Sequence, residues 1–273
     1  MVCKSCENDH QENYCPECGE KAFNIKQLSL KHFIEETFEG FIHFDNKLFR
    51  TIKILITKPG QLSLDHTEGR RVKYMKPVQL FLVVNLIFFF LTASNIFSLR
   101  LQNYISYKPF TNYNTRQLVK HKLAKSQLSL AEYEQLFNEK MTSNSKEFIF
   151  IFIPFYGLVF FLLFFWRKRF FTEHLVFAVH FTTFILILVL VEFYVLSLPF
   201  NLIFRKDYSQ SFDNFYAIFT TICISVYLFF AMRKFYKANI YWTIITAVAT
   251  GYYFFTFIQY YRMLLFFKIL YLN

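Results

Sequence analysis

From residue 77 onward the chain alternates between long apolar runs and short polar breaks. Five runs approach the ~20 mostly apolar residues that cross a bilayer as a helix. They predict spans at about 77–97, 148–166, 175–198, 215–232 and 241–261. The third is expected to tilt or to end early at Pro199. The tail Met263–Asn273, broken only by Lys268, either extends the last span or lies in the interface. The stretch Trp166–Phe181 organises the pattern. Its basic turn Arg167-Lys168-Arg169 joins two runs. Glu173 and His174 stand where the second run begins, and His180 lies inside it.

Ahead of the first span the periodicity changes. Residues 28–58 read as two amphipathic helices. In the first, Leu30, Phe33, Ile34, Phe38 and Phe41 share a face behind Ser29, a suitable N-cap. In the second, Leu48, Ile52, Leu55 and Ile56 share a face, with Lys47, Arg50 and Lys53 off it. Thr57-Lys58-Pro59-Gly60 stops it. A basic amphipathic helix ahead of a span lies in the interface or packs on the span ends, and the pattern serves both. The 98–146 connection carries a turn at Asn112–Thr115 and helical stretches at Arg116–Lys125 and Ser129–Met141. Ser129 and Glu132 form a capping box there. We read this connection as a small helical hairpin capping the spans.

Composition agrees with this pattern. The chain has 273 residues, 55% hydrophobic and 22% aromatic, with 40 Phe. That excess excludes an ordinary soluble domain and predicts an all-α polytopic membrane protein. The formal net charge is +11, and it is unevenly placed. Residues 1–76 are nearly balanced, while residues 77–273 carry almost all of the excess. Basic residues beside apolar runs are explained by anionic headgroups and insertion topology, which argues against nucleic acid as the partner. The short loops with Arg167, Lys168 and Arg169 and with Arg233, Lys234 and Lys237 belong on the cytosolic side. The N terminus is then inside and the C terminus outside. The basic 98–146 connection strains that assignment. The start Met1-Val-Cys-Lys-Ser-Cys lacks a signal-peptide pattern, so insertion is expected to begin at the first apolar run.

Four of the five cysteines fall in Cys3-x2-Cys6-x8-Cys15-x2-Cys18. Two such knuckles supply the four thiolates that tetrahedral Zn²⁺ prefers, and Pro16 and Gly19 suit the second turn. Residues 1–22 are therefore expected to form a zinc ribbon too small to fold without structural zinc. With all four positions filled, the metal has no open site for catalysis. A protein-contact role follows. Residues 23–76 form the juxtamembrane helices and residues 77–273 the bundle.

Several polar side chains lie at membrane depth: Asn85, His180, Glu192 and Gln259. An ionised group at mid-span costs ~2.5–3.5 kcal/mol on insertion scales, so such groups face the bundle and pair. Glu173 and His180 share a helix face, two turns apart. His174 and His180 diverge by about 120° and cannot form an i, i+4 chelate. Glu192 is expected near the interface at the far end of its span. Just before the first span, Arg70, Arg71 and Lys73 set topology or hold an anionic headgroup. Thr243-x3-Ala247-x3-Gly251 forms a small-residue ridge for close helix packing within the bundle.

Three blocks taken together carry a resemblance. They are the Cys3–Gly19 ribbon, the segment from Arg50 through Lys58-Pro59-Gly60 to Gly69-Arg70-Arg71-Val72-Lys73-Tyr74 and Pro77, and Glu173–Phe181. The chain resembles the bacterial membrane family known as domain of unknown function 3667, over residues 1 to about 200. The resemblance implies a zinc ribbon joined to a helical bundle in the inner membrane. It directs attention to Arg70, Tyr74, Glu173, His174 and His180, and it brings no activity with it. Thr182-Thr183 stands here where relatives are expected to carry a further histidine, which argues against a multi-histidine metal site.

Three functions compete. The favoured one is a regulatory or scaffolding membrane protein whose ribbon contacts a cytosolic partner. A transporter or channel would use His180 as its protonatable group. A membrane enzyme would act on a lipid headgroup through Glu173 and His174, with Arg70 and Arg71 on the phosphate; enzyme activity is not the favoured reading.

Overall fold

A computed structural model describes residues 8–9, 11, 16–17, 47–69, 74–92, 97–106, 110–126, 128–199 and 210–272. The chain divides into two units, Met1–Arg50 and Thr51–Asn273. Cys3, Cys6, Cys15, Cys18, the expected helix at 28–41, Arg70 and Arg71 lie outside the described residues. Among the described residues, the second unit is built from helices.

The helices are α1 (47–57), α2 (Gln61–Thr67), α3 (Pro77–Leu91), α4 (Leu101–Ser106), α5 (Thr115–Ser126) and α6 (Leu130–Glu147). Then come α7 (Phe152–Phe164), α8 (Phe171–Glu192), α9 (Gln210–Tyr236) and α10 (Ile240–Leu272). Among the described residues, four apolar stretches are long enough to cross a membrane: Phe148–Arg167, Phe171–Ser197, Phe215–Tyr236 and Ile240–Tyr271. On this footing the described residues are those of a helical membrane protein. The expected first span ends at Leu91 rather than near 97. Its 15 residues make a helix of ~22 Å, short of the ~30 Å hydrocarbon core.

The bundle has two ends. At the loop end lie the α7–α8 and α9–α10 connections, where Lys168 and Lys237 adopt left-handed backbone at φ 50° and 51°. Both tryptophans stand there, with Trp166 and Trp242 rings 5.3 Å apart and Trp242 donating to the Leu163 carbonyl. That is the interfacial position that amphipathic rings prefer. At the cap end lie α4, α5 and α6. The Ser129–Glu132 box starts α6 as expected. The carboxylate of Glu132 is held below its ordinary range by hydrogen bonds from Ser129.

α3 runs in the same sense as α8, because Tyr194 donates to the Leu91 carbonyl at 2.7 Å near the cap end of both. Lys146 also ties this end, donating to the Phe89 carbonyl at 2.7 Å. Burial lowers its pKa below the ordinary lysine value. The shortfall of α3 therefore falls at the loop end. α2 packs there against α8 and α9.

α10 is longer than a bilayer requires. Its 32 apolar-rich residues reach ~48 Å, so its last turns pass beyond the hydrocarbon and are clad by the cap. Tyr104 stacks on Phe266, Lys122 donates to the Leu270 carbonyl, and Tyr261 donates to the Ser145 carbonyl. The tail thus extends the last helix.

Glycine and aromatic residues set the helix spacing. A Cβ on Gly251 would overlap the Ser225 hydroxyl and sit 3.2 Å from the Thr221 carbonyl, so the Thr243–Ala247–Gly251 ridge brings α10 onto α9 as expected. A Cβ on Gly157 would come within 2.5 Å of Leu175. Phe160 against Phe177 and Tyr156 against Phe181 interlock edge to face across the same α7–α8 seam.

Candidate functional site

The loop-end half of α8 gathers the sequence-selected groups. α8 begins without a Ser, Thr, Asp or Asn cap, and Glu173 takes over that task. Its Oε2 accepts from the Phe170 N–H at 3.0 Å, while Oε1 accepts from Arg169 Nη1 at 3.0 Å. An acidic group in the first turn also meets the positive end of the helix dipole. Arg169 continues across the interface. Its Nη2 donates to the Phe235 carbonyl at 2.8 Å and its guanidinium lies 4.2 Å from the Phe235 ring centroid. Arg169 thus ties the start of α8 to the last turn of α9, beyond the topological role that its charge predicts.

His174 is fully buried. Its Nδ1 shares a 2.9 Å hydrogen bond with the Tyr236 hydroxyl, the donor being set by the imidazole tautomer. The Tyr236 ring stacks on Phe164 at 4.0 Å, so the pair closes a junction between α7, α8 and α9. His174 Nε2 is buried without a hydrogen-bond partner.

His180 lies ~9 Å deeper along α8. Its Nδ1 shares a 2.8 Å hydrogen bond with Ser63 Oγ of α2, and both residues are buried. α2 is a seven-residue helix with Leu62, Ser63, Leu64 and Asp65 buried. Gln61 donates to Asp65 Oδ1 at 2.8 Å within it. Gly60 introduces α2 at φ 79°, and a Cβ there would overlap the Ala231 carbonyl of α9. Upstream, Thr51 Oγ1 of α1 accepts from the Met75 N–H just before α3. Non-helical backbone at such depth is tolerated where protein covers it.

Glu173, His174 and His180 are therefore not one constellation. Glu173 and His180 share a helix face but meet different partners, and His174 points to a third. Tyr74 sits half-buried in the bend before α3. Arg70 and Arg71, outside the described residues, cannot be added to the group. Among the described residues, no three His, Cys, Asp or Glu side chains are placed to hold a metal. The arrangement is that of hydrogen-bonded struts: α8 to α9 through Arg169 and His174, and α8 to α2 through His180.

Glu192 departs from the sequence reading. It is 2% exposed instead of reaching the interface. Its Oε2 accepts from Thr220 Oγ1 of α9 at 2.9 Å, and Tyr216, one turn earlier on α9, also hydrogen-bonds the carboxylate. Gln259 is exposed as an apolar span's lone amide, and Asn85 Oδ1 is buried without a partner.

Sequence reading missed Ser63, Tyr236 and Thr220, and it took Gly60 only as a helix stop. Ser63 lies in the pattern Gln61-Leu-Ser-Leu-Asp-His-Thr67, whose only hint was two leucines in a polar stretch behind a glycine.

Residues 45–89 match the sequence profile of a family described as "Protein of unknown function (DUF3667)". The matched segment covers α1, the Gly60 turn, α2 and most of α3. Comparison with curated proteins and with solved structures gives no match.

Proposed function

We propose that this is a regulatory or scaffolding protein of the inner membrane, with an N-terminal zinc ribbon that contacts a cytosolic protein. The ribbon rests on the donor set of Cys3, Cys6, Cys15 and Cys18, which matches structural zinc in number and chemistry. The observation that carries the reading is the Ser63–His180 bond. Through it, the chain that follows the ribbon is fastened to the bundle interior. His174 and His180 both serve as struts, His174 among packed aromatic rings. Arg167, Lys168, Arg169, Arg233, Lys234 and Lys237 at the loop end support a cytosolic loop end.

Transport through His180 and headgroup chemistry at Glu173 and His174 are the rival readings. Neither gains a specific observation, since each of these side chains already has a structural partner.

The test is crosslinking and pull-down from cells expressing the full chain, the chain without residues 1–20, and Cys15→Ser. The full chain is expected to bring down about one zinc per chain and a protein partner. Both variants are expected to lose the partner. Identical crosslinked species in all three would reject the contact role. Undiminished zinc in Cys15→Ser would reject the ribbon. Proton flux in reconstituted vesicles that disappears in His180→Ala would turn the assignment to transport.

A further inference from the structure

We infer that a cleft between the α1–α2 turn and the α8–α9 pair binds an anionic phospholipid, its headgroup held by Lys58 and Lys234. The cleft measures about 710 Å³, within the ~300–1,000 Å³ of small-molecule sites. Its lining does not include Glu173, His174 or His180.

Its shape follows from the α2 dock. Gly60 pressed against Ala231 brings the turn onto α9 and leaves a furrow beside it. Phe184 of α8 and Tyr227 of α9 stack at 3.6 Å to form its floor. Leu188, Ile222, Val226 and Phe230 continue the apolar wall. Ile222, Val226 and Phe230 are all more than half exposed, as one stripe of a membrane-spanning segment.

The charge is confined to one end. Lys234 lies two residues from the loop end of the Phe215–Tyr236 span, and Lys58 stands on the turn across from it. Among the described residues, neither has a carboxylate within ion-pair distance. From Ile222 to Lys234 the stripe runs ~18 Å along α9. That is close to half of a ~30 Å hydrocarbon core. The cleft therefore has the depth of one leaflet, apolar from the midplane outward, with two ammonium groups at headgroup level. Acyl chain and phosphate match those two zones in order and in length. A soluble anion would use the lysines and leave the wall unused. A zwitterionic lipid would use the wall and present a cation to the lysines. An anionic phospholipid alone satisfies both.

The test uses the full chain, purified in detergent, delipidated, and titrated with phosphatidylglycerol or phosphatidylcholine, with retained lipid counted by native mass spectrometry. Wild type is expected to retain phosphatidylglycerol several-fold better. Lys58→Gln with Lys234→Gln is expected to erase that preference. Lys168→Gln with Lys237→Gln, which removes equal charge from the same end, is expected to keep it. Val226→Trp, which fills the wall, is expected to lower retention of both lipids, with unchanged elution on size exclusion showing that it folds. Equal retention of the two lipids by wild type would overturn the proposal. So would equal loss in both lysine pairs, which would show general attraction to a basic surface. Displacement of phosphatidylglycerol by inorganic phosphate alone would overturn it in favour of a simple anion site.

Discussion

Ser63 and His180, 117 positions apart in the chain, share a buried hydrogen bond of 2.8 Å between Oγ and Nδ1. Each is the other's answer to burial, since an unpaired polar atom there costs ~1–3 kcal/mol. The pair is therefore expected to couple. Ser63→Ala and His180→Phe should each destabilise the detergent-solubilised protein. The double variant should lose less than the sum by ~0.5–1.5 kcal/mol, the range seen for hydrogen bonds between membrane helices. Chemical unfolding of the four proteins measures the difference. Strict additivity would mean that the bond does not hold α2 in place.

Gly60 and Gly69 make a controlled comparison. Both have positive φ, at 79° and 85°. A Cβ on Gly60 overlaps the Ala231 carbonyl, while one on Gly69 meets nothing within 4 Å. Gly69→Ala then carries only backbone strain, about 1 kcal/mol. Gly60→Ala carries the same strain and must also push the turn off α9, because a helix carbonyl has little freedom to move. We expect its loss to be at least twice as large, and we expect α2 amides to exchange faster in Gly60→Ala alone. Equal losses in the two variants would contradict the docked turn.

The contrast between what sequence foretold and what it missed is physical. The apolar runs were visible because a bilayer demands length and continuity, which any window along the chain registers. The Thr243–Ala247–Gly251 ridge and the Ser129–Glu132 box were visible because both are local, with fixed spacing on one helix. The docking of α2 depends on a partner 117 positions away, and no local period encodes it. Ile56 illustrates the same limit. It shares a predicted apolar face with Leu55, yet Leu55 is buried while Ile56 is exposed and lines the cleft, and Thr51 is buried instead. Glu173 was read for its chemistry, whereas its position three residues after Phe170, where α8 begins, makes it a helix cap.

The capping box gives a pH prediction with a definite sign. Hydrogen bonds from Ser129 lower the Glu132 pKa in the folded protein. The contribution of the box is thus fully present above the unfolded carboxylate pKa and is lost as pH falls through the lowered folded value. Ser129→Ala should raise the Glu132 titration midpoint toward the ordinary range, read by carboxyl chemical shift. It should also make the start of α6 fray at a higher pH than in wild type. An unchanged midpoint would show that the box does not form in solution.

Glu192 binds α8 to α9 toward the cap end, accepting from Thr220 and hydrogen-bonded by Tyr216 as well. A charge is not needed for these bonds, only an acceptor. The amide oxygen of Glu192→Gln supplies one, and the amide carries no ionic desolvation cost in a site that is 2% exposed. The isostere also keeps the volume, so no cavity opens. Glu192→Gln is therefore expected to be as stable as wild type or more so in unfolding experiments. Glu192→Ala removes the acceptor and the packing together, and it should lose ~2 kcal/mol or more. Thr220→Val removes only the donor and should lose ~1–2 kcal/mol in wild type, with a smaller loss in the Glu192→Ala background. If Glu192→Gln falls as far as Glu192→Ala, a neutral acceptor does not suffice for these bonds, and ionisation of Glu192 becomes part of how the bundle works.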